Sequence, residues 1–363
     1  MARLSVLFLI LLSFKSICFG QTHLTGDVDG VDYIINVPAE PTGKVMFLAR
    51  GYRPDFFPLS AVYEVGTRFY QSMLDDGWTI ASTAFRTNAW VVSEGAEDIL
   101  ALQAFIDAEV HPIKQSILYG ETMGGGVAVW LAENKPESFA GVLCLGAHLF
   151  EAPESPKYSD DSLASVFSAN PQIPIVLLAN GPEMKSSQVY KNAAKDASTP
   201  SISWYVERTG HVNVNSAERL AAMKGLLDWI DGAKIESVEN GTLEMSPDST
   251  AALGDSIAAG NIRLLRPLYG NIYTSLVPQD LAHLNISLSD TFELIHRGTS
   301  HSVTYAKAYS DVPYGEWVAF IDPEGYVQIS RNYANAAETL GAQVGDPFIV
   351  RKKGTGSMTE PAP

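Results

Sequence analysis

The sequence predicts an α/β protein, with a mostly parallel sheet covered by helices on both faces, followed by a small all-β domain. Three observations predict it. Short apolar runs alternate with amphipathic stretches as far as Ile230. Beyond Arg263 the apolar runs become short, closely spaced and separated by turn signals. Between the two, Gly232 to Thr250 is polar, lacks a clear period and carries Glu239-Asn240-Gly241 and Ser246-Pro247-Asp248. A chain of 363 residues has room for two domains. The expected division is a leader over 1–20, the α/β domain over 21–232, a linker over 233–262, the β domain over 263–352 and a disordered tail over 353–363.

Taken in order, Tyr33 to Val37 reads as an early strand and Lys44 to Ala49 as a buried strand entering the loop Arg50-Gly51-Tyr52. Ala61 to Leu74 has helical spacing at Val62, Val65, Phe69 and Met73, and Trp78 to Phe85 returns to strand. Ala96 to Val110 spaces Ile99, Leu100, Leu102, Phe105 and Ile106 as one helix face. Strands follow at Ser116 to Tyr119, Ala140 to Leu145, Ile173 to Ala179 and Ser201 to Val206. Helices are expected at Val127 to Asn134, Ser187 to Ala197 and Ser216 to Ile230. In the second domain, strands are expected at Asn271 to Val277, Thr291 to Ile295, Val303 to Tyr309, Glu316 to Ile321 and Val327 to Arg331, with a β-turn at Asp322-Pro323-Glu324-Gly325.

Composition narrows the function classes. Hydrophobic residues make up 46% of the chain and charged residues 18%, as in ordinary globular proteins. The formal charge of −16, with no Lys/Arg cluster, argues against a nucleic-acid partner. Arg3, the apolar run Leu4 to Phe14 and Cys18-Phe19-Gly20 before Gln21 form a signal-peptide pattern, with cleavage expected near Gly20. That run is about half the roughly 20 residues of a spanning helix, so a secreted or periplasmic protein with no stable membrane anchor is expected. Beyond the leader only Cys144 remains, in the apolar run Val142 to Leu145, and it reads as a buried thiol. The seven histidines show no metal spacing, so no metal and no cofactor are expected, and His296 and His301 read as surface residues.

The chemistry-bearing stretch is Gly120-Glu121-Thr122-Met123-Gly124, between a strand and a helix. Two further candidates also follow strands: Glu183, after Ile175 to Ala179, and His211 in Thr209-Gly210-His211-Val212-Asn213, after the strand ending at Val206. Strand, sharp glycine-rich turn and helix is the context of a nucleophile elbow, here with threonine at the centre. With the order Thr, Glu, His, residues 31–230 resemble the α/β-hydrolase superfamily. A hydroxyl needs a base to take its proton, a neutral histidine has a suitable pKa, and a carboxylate fixes the imidazole tautomer. The resemblance implies an acyl-enzyme on Thr122, with His211 as base and Glu183 as acid, and an oxyanion hole from the backbone N–H groups of Met123 and Tyr52. A β-branched residue is costly in the positive-φ elbow conformation. Two functions therefore stand open: a carboxylic ester hydrolase acting on small-molecule or polymer-end esters, and a hydrolase fold that has lost catalysis and serves binding or assembly. The segment from Gly146 to Gln172 sits where such folds carry a lid, and here it is short.

The second domain carries Gly270-Asn271-Ile272-Tyr273-Thr274-Ser275-Leu276, then Tyr309 to Glu316, Phe320 to Ile329, Asn332 to Ala337, Leu340-Gly341 and Gly345-Asp346. Over 263–351 this resembles the C-terminal domain of S-adenosyl-L-methionine hydroxide adenosyltransferases. The resemblance implies a β-barrel and, from that family's adenosyl site between subunits, a homo-oligomer or a nucleoside ligand as alternatives to a reused domain for assembly or substrate approach. Asn271, Asn332 and Asn335 are the polar residues of interest there. The family's catalytic N-terminal domain is replaced here, and Leu268-Tyr269 stands where Asp-Phe is common.

Overall fold

The computed structural model describes residues 21–61, 67–266 and 268–353. The expected leader, the tail beyond residue 353, and Val62 and Val65 of the first expected helix lie outside these residues. The first domain runs β1 (Thr22–Val28), β2 (Val31–Val37), β3 (Lys44–Ala49), α1 (Arg68–Asp75), β4 (Trp78–Thr83), α2 (Val92–Phe105), β5 (Gln115–Glu121), α3 (Met123–Asn134), β6 (Gly141–Leu145), β7 (Ile175–Asn180), α4 (Met184–Ala193), β8 (Ile202–Val206) and α5 (Ser216–Ile230). The sheet order is β1-β2-β4-β3-β5-β6-β7-β8. β1, β2 and β4 pair antiparallel, and every pairing from β4 through β3 to β8 is parallel.

The central strands β6 and β7 bury every residue, as strands covered on both faces must. One face packs on α2, α3 and α4 through Ile99, Leu102, Val127, Leu131, Tyr190 and their neighbours. The other packs on α1 and α5 through Phe69, Met73, Met223 and Leu226. Cys144 lies in the first of these cores as a buried free thiol.

The second domain begins earlier than its composition implies. β9 (Ala252–Leu253) and the first six residues of β10 (Ile257–Leu265) fall within the stretch expected to be linker. β11 (Ile272–Thr274), β12 (Thr291–His296), β13 (Thr299–Tyr305), β14 (Trp317–Ile321), β15 (Val327–Arg331) and β16 (Pro347–Lys352) follow. The order β11-β15-β14-β13-β12-β16-β10 closes by pairing β10 with β11, which makes a seven-strand barrel, and β9 pairs outside it on β10. The expected turn joins β14 to β15, with Gly325 N donating to Asp322 O at 3.0 Å. His296 is not a surface residue. β12 points Phe292, Leu294 and His296 inward, and His296 Nε2 lies 3.1 Å from Asp346 Oδ2. His301 is half-buried, its ring 4.7 Å from that of Trp317.

The remaining linker is not a free tether. Val238 N donates to Ser203 O (2.8 Å), Tyr205 N to Val238 O (2.9 Å) and Gly241 N to Tyr205 O (2.7 Å). The linker thus runs beside β8.

In the turn between β14 and β15, Asp322 is buried. Its Oδ1 accepts from Tyr326 N at 2.9 Å and its Oδ2 has no partner among the described residues. Burial pushes its carboxyl from 3.8 up to about 6. The folded state therefore holds this proton more tightly than the unfolded chain. Its contribution to stability falls as pH rises from about 4 to about 6, by about 3 kcal/mol in all. In urea unfolding at pH 4.5 and pH 7.5, the Asp322→Asn chain should lose less stability across that interval than the native chain. Equal losses would mean that Asp322 is not strained by its burial.

Candidate active site

Glu183, Thr122 and His211 all lie at the carboxyl ends of parallel strands, as the sequence predicts. Thr122 follows β5 directly and takes φ 51°, ψ −115°. This conformation lies outside the ordinary regions for an L-residue, and a β-branched side chain makes it costlier. The surroundings over-determine it. Thr122 N donates to Leu145 O (2.9 Å), and Thr122 O accepts from His148 N (3.0 Å) and Gly125 N (3.0 Å). Two residues on, α3 passes so close to β3 that a methyl at Gly124 would collide with Ala49 O. This explains the glycine there.

Glu183 sits in a short 3-10 turn after β7, and its carboxylate organises the loop beyond β8. His211 Nδ1 donates to Glu183 Oε1 at 2.5 Å. Val212 N donates to the same carboxylate at 3.0 and 3.2 Å. Gly146 (φ 52°) makes room for it, since a side chain there would run into Glu183 Oε2. The Glu183 side chain is 14% exposed and that of His211 75%, so the imidazole is open to solvent. The Glu183 hydrogen bond raises the His211 pKa above 6.5; partial burial opposes this, and the charges of Glu183 and Glu121 add to it.

The structure joins His211 to Glu183 but not to Thr122. Among the described residues no hydrogen bond links Thr122 Oγ1 to the imidazole. The hydroxyl lies against the backbone of Gly51, where a methyl would strike it. Gly51 and Tyr52 form the loop after β3. Met123 is the first residue of α3, so its N–H has no carbonyl one turn back within the helix. Tyr52 presents its ring, 40% exposed, to Trp90 at 6.4 Å, and Trp90 meets His148 at 4.9 Å. In the lid region, Leu149 and Phe150 are buried and Tyr158 is exposed, with no regular helix or strand among them.

Two supports are invisible to motif reasoning. The first is Asn180, the last residue of β7, which is fully buried. Its amide donates to Arg208 O (3.1 Å) and Gly210 O (2.9 Å) and accepts from Asn213 N (2.8 Å), so it clamps the histidine loop on both sides. The only signal in the sequence is an amide ending an otherwise apolar strand. The second is Arg50, whose buried guanidinium donates to Ala84 O (2.8 Å), Gly51 O (3.1 Å), Thr87 O (3.0 Å) and Asn88 Oδ1 (3.1 Å). Its pKa falls to about 10, through burial first and then the charge of Arg53. This cation fastens the Gly51 loop to the end of β4 without a carboxylate.

Two outcomes follow from this geometry. Asn180→Ala leaves three part-buried backbone groups without their amide partner and should cost about 1–3 kcal/mol in urea unfolding. A cost near zero would mean the loop stands without the clamp. Glu183→Gln replaces a charged acceptor, so the His211 midpoint read by NMR should fall from its raised value toward 6.5 or below. A midpoint unmoved by the substitution would mean that another group raises it.

Comparison with known proteins bears on the two domains separately. Residues 268–349 match the family model of the SAM hydroxide adenosyltransferase C-terminal domain. No curated protein matches the sequence. Among solved structures, an uncharacterized conserved protein from Thermotoga maritima is 20% identical over 34% of this chain and 48% of its own, with a TM-score of 0.28. The acylaminoacyl peptidase of Pyrococcus horikoshii is 15% identical over 60% of this chain and 42% of its own, with a TM-score of 0.43. Dienelactone hydrolase from Anabaena variabilis is 15% identical over 58% of this chain and 95% of its own, with a TM-score of 0.39. The present chain thus spans less than half the length of the first two. It joins an α/β domain built on a mostly parallel eight-strand sheet to a β-barrel that matches the SAM hydroxide adenosyltransferase C-terminal domain.

Proposed function

We propose that the chain is a carboxylic ester hydrolase that works through an acyl-enzyme on Thr122. The observation that carries this reading is the Glu183–His211 pair at 2.5 Å, held open to solvent beside an elbow residue at positive φ. In the first step His211 Nε2 takes the Thr122 proton as Oγ1 bonds to the ester carbonyl carbon. Glu183 holds Nδ1–H and stabilises the imidazolium. The N–H groups of Met123 and Tyr52 receive the oxyanion. His211 then returns the proton to the leaving alkoxide as the C–O bond breaks. In the second half His211 takes a proton from a water as it bonds to the acyl carbon, then gives it to Thr122 Oγ1 as the acyl C–O bond breaks, releasing the carboxylic acid and restoring the hydroxyl. The open imidazole and the short lid suit small or polymer-end esters. The leader-like residues 1–20 support export.

One observation favours a second reading. Thr122 Oγ1 rests against Gly51 with no bond to His211 among the described residues, as in a site that binds without turning over. The methyl of Thr122 restricts χ1 and so restrains the swing toward the imidazole.

Hydrolysis of short-chain p-nitrophenyl esters by the native chain, Thr122→Ala and Thr122→Ser separates the two. The esterase reading expects activity in the native chain, a loss of at least about 1000-fold in the alanine variant and retention or gain in the serine variant. An inactive native chain with an active serine variant would establish the binding reading. Covalent labelling by an organophosphonate gives the same division without turnover.

A further inference from the structure

The loop carrying His211 is completed by residues from outside the hydrolase domain. Arg208 and Asn215 bracket it. Arg208 makes a two-pronged ion pair with the buried Glu218 of α5, at 2.9 and 2.9 Å, and donates to Asn213 O at 3.1 Å. Asn215 caps α5 in a reciprocal box with Glu218. Both groups then bond to the linker. Glu218 Oε1 accepts from Leu243 N (2.9 Å), and Asn215 Nδ2 donates to Leu243 O (2.6 Å).

The barrel adds the last member. Glu324, in the turn between β14 and β15, accepts from Ser216 N at 2.6 Å. Ser216 opens α5, where N–H groups lack helical partners and a negative charge is favoured. One turn further along α5, Arg219 is buried, its Nε donating to Val214 O (3.2 Å) and its Nη1 3.5 Å from Glu121 Oε1. Glu121 immediately precedes Thr122 and also accepts from the Tyr119 hydroxyl at 3.1 Å. The charges facing Arg219 are therefore Glu121 from the elbow strand and Glu324 from the barrel, with the Tyr70 and Tyr119 hydroxyls beside them. The barrel meets the loop after β3 as well. Tyr269 packs on Phe57 of the loop beyond Tyr52, with ring centroids 5.9 Å apart.

We propose that the barrel is a built-in positioning element of the candidate active site. Its Glu324 fixes the start of α5, and thereby sets the His211 loop and the Glu121 side chain against the Thr122 elbow. Glu324 touches no reacting atom and acts through Ser216 and Arg219. This gives the second domain a role within the same chain that needs no ligand of its own, and it rests on the reading of His211 and Thr122 as the site.

The test uses the full chain with Glu324→Ala and Glu324→Gln, and reads the His211 midpoint by NMR beside ester hydrolysis. Glu183 and Glu121 are the charges that face His211. Loss of Glu324 leaves the Arg219 charge less balanced and the loop less held, and both effects lower the midpoint. The alanine variant should shift it down by about half a pH unit and reduce kcat/KM about tenfold with KM within about twofold. Glu324→Gln keeps an acceptor for Ser216 N and should recover part of kcat/KM. An unmoved midpoint with unchanged kcat/KM overturns the proposal. Should the native chain hydrolyse no ester, the esterase reading fails and the midpoint alone decides positioning: a downward shift supports it and an unmoved value overturns it. Should the alanine variant fail to fold, the glutamine variant is judged by the same shift.

Discussion

The Glu183 carboxylate is the interaction on which the site depends. It is mostly buried, and it accepts from both the His211 ring and the Val212 backbone. A loop without regular structure must therefore deliver two donors to one carboxylate. The architecture meets that demand from three directions. Asn180 holds the loop from the strand beneath, Glu218 and Asn215 from the helix that follows, and Leu243 from the linker. Hydrogen bonds to charged groups are the stronger kind, and here the loop's carbonyls and N–H groups reach Glu183, Arg208 and Glu218.

Thr122 places a different demand on the same fold. Positive φ at a β-branched residue costs on the order of 1–3 kcal/mol, and the three backbone hydrogen bonds around the elbow hold it there. The strain belongs to the backbone and would be present with serine too. The methyl adds a restriction on where the hydroxyl points. The elbow's backbone geometry is thus fully formed, and where its hydroxyl points is a separate matter set by one rotamer.

Much of this was legible in the sequence. Apolar runs gave β2 to β8 of the first domain and β11 to β15 of the second, but not β9, β10 or β16, and α5 has the bounds its spacing implies. The elbow, Glu183 and His211 were legible because each follows a strand in a fixed order. The supports were not. Asn180 ends an apolar strand and Arg50 precedes a glycine, and neither reveals partners some thirty residues away. β1 was missed because its alternation is weak and five of its seven residues are polar or glycine. His296 looked like a surface residue because the inward register of β12 is set by pairing with β16, which the local pattern does not disclose. The linker looked loose because its bonds are to β8, not within itself.

That linker has a consequence for handling the protein. A sheet's outermost strand offers unpaired N–H and C=O groups to any passing chain, and proteins must cover or blunt such edges. β8 is the outermost strand on its side, and the segment around Val238 occupies part of its free flank. The barrel, closed on itself, adds little exposed flank of its own. Proteolytic nicking between the domains would thus do more than separate two folded halves. It would release the cover from β8 and leave the α/β half prone to edge-to-edge aggregation.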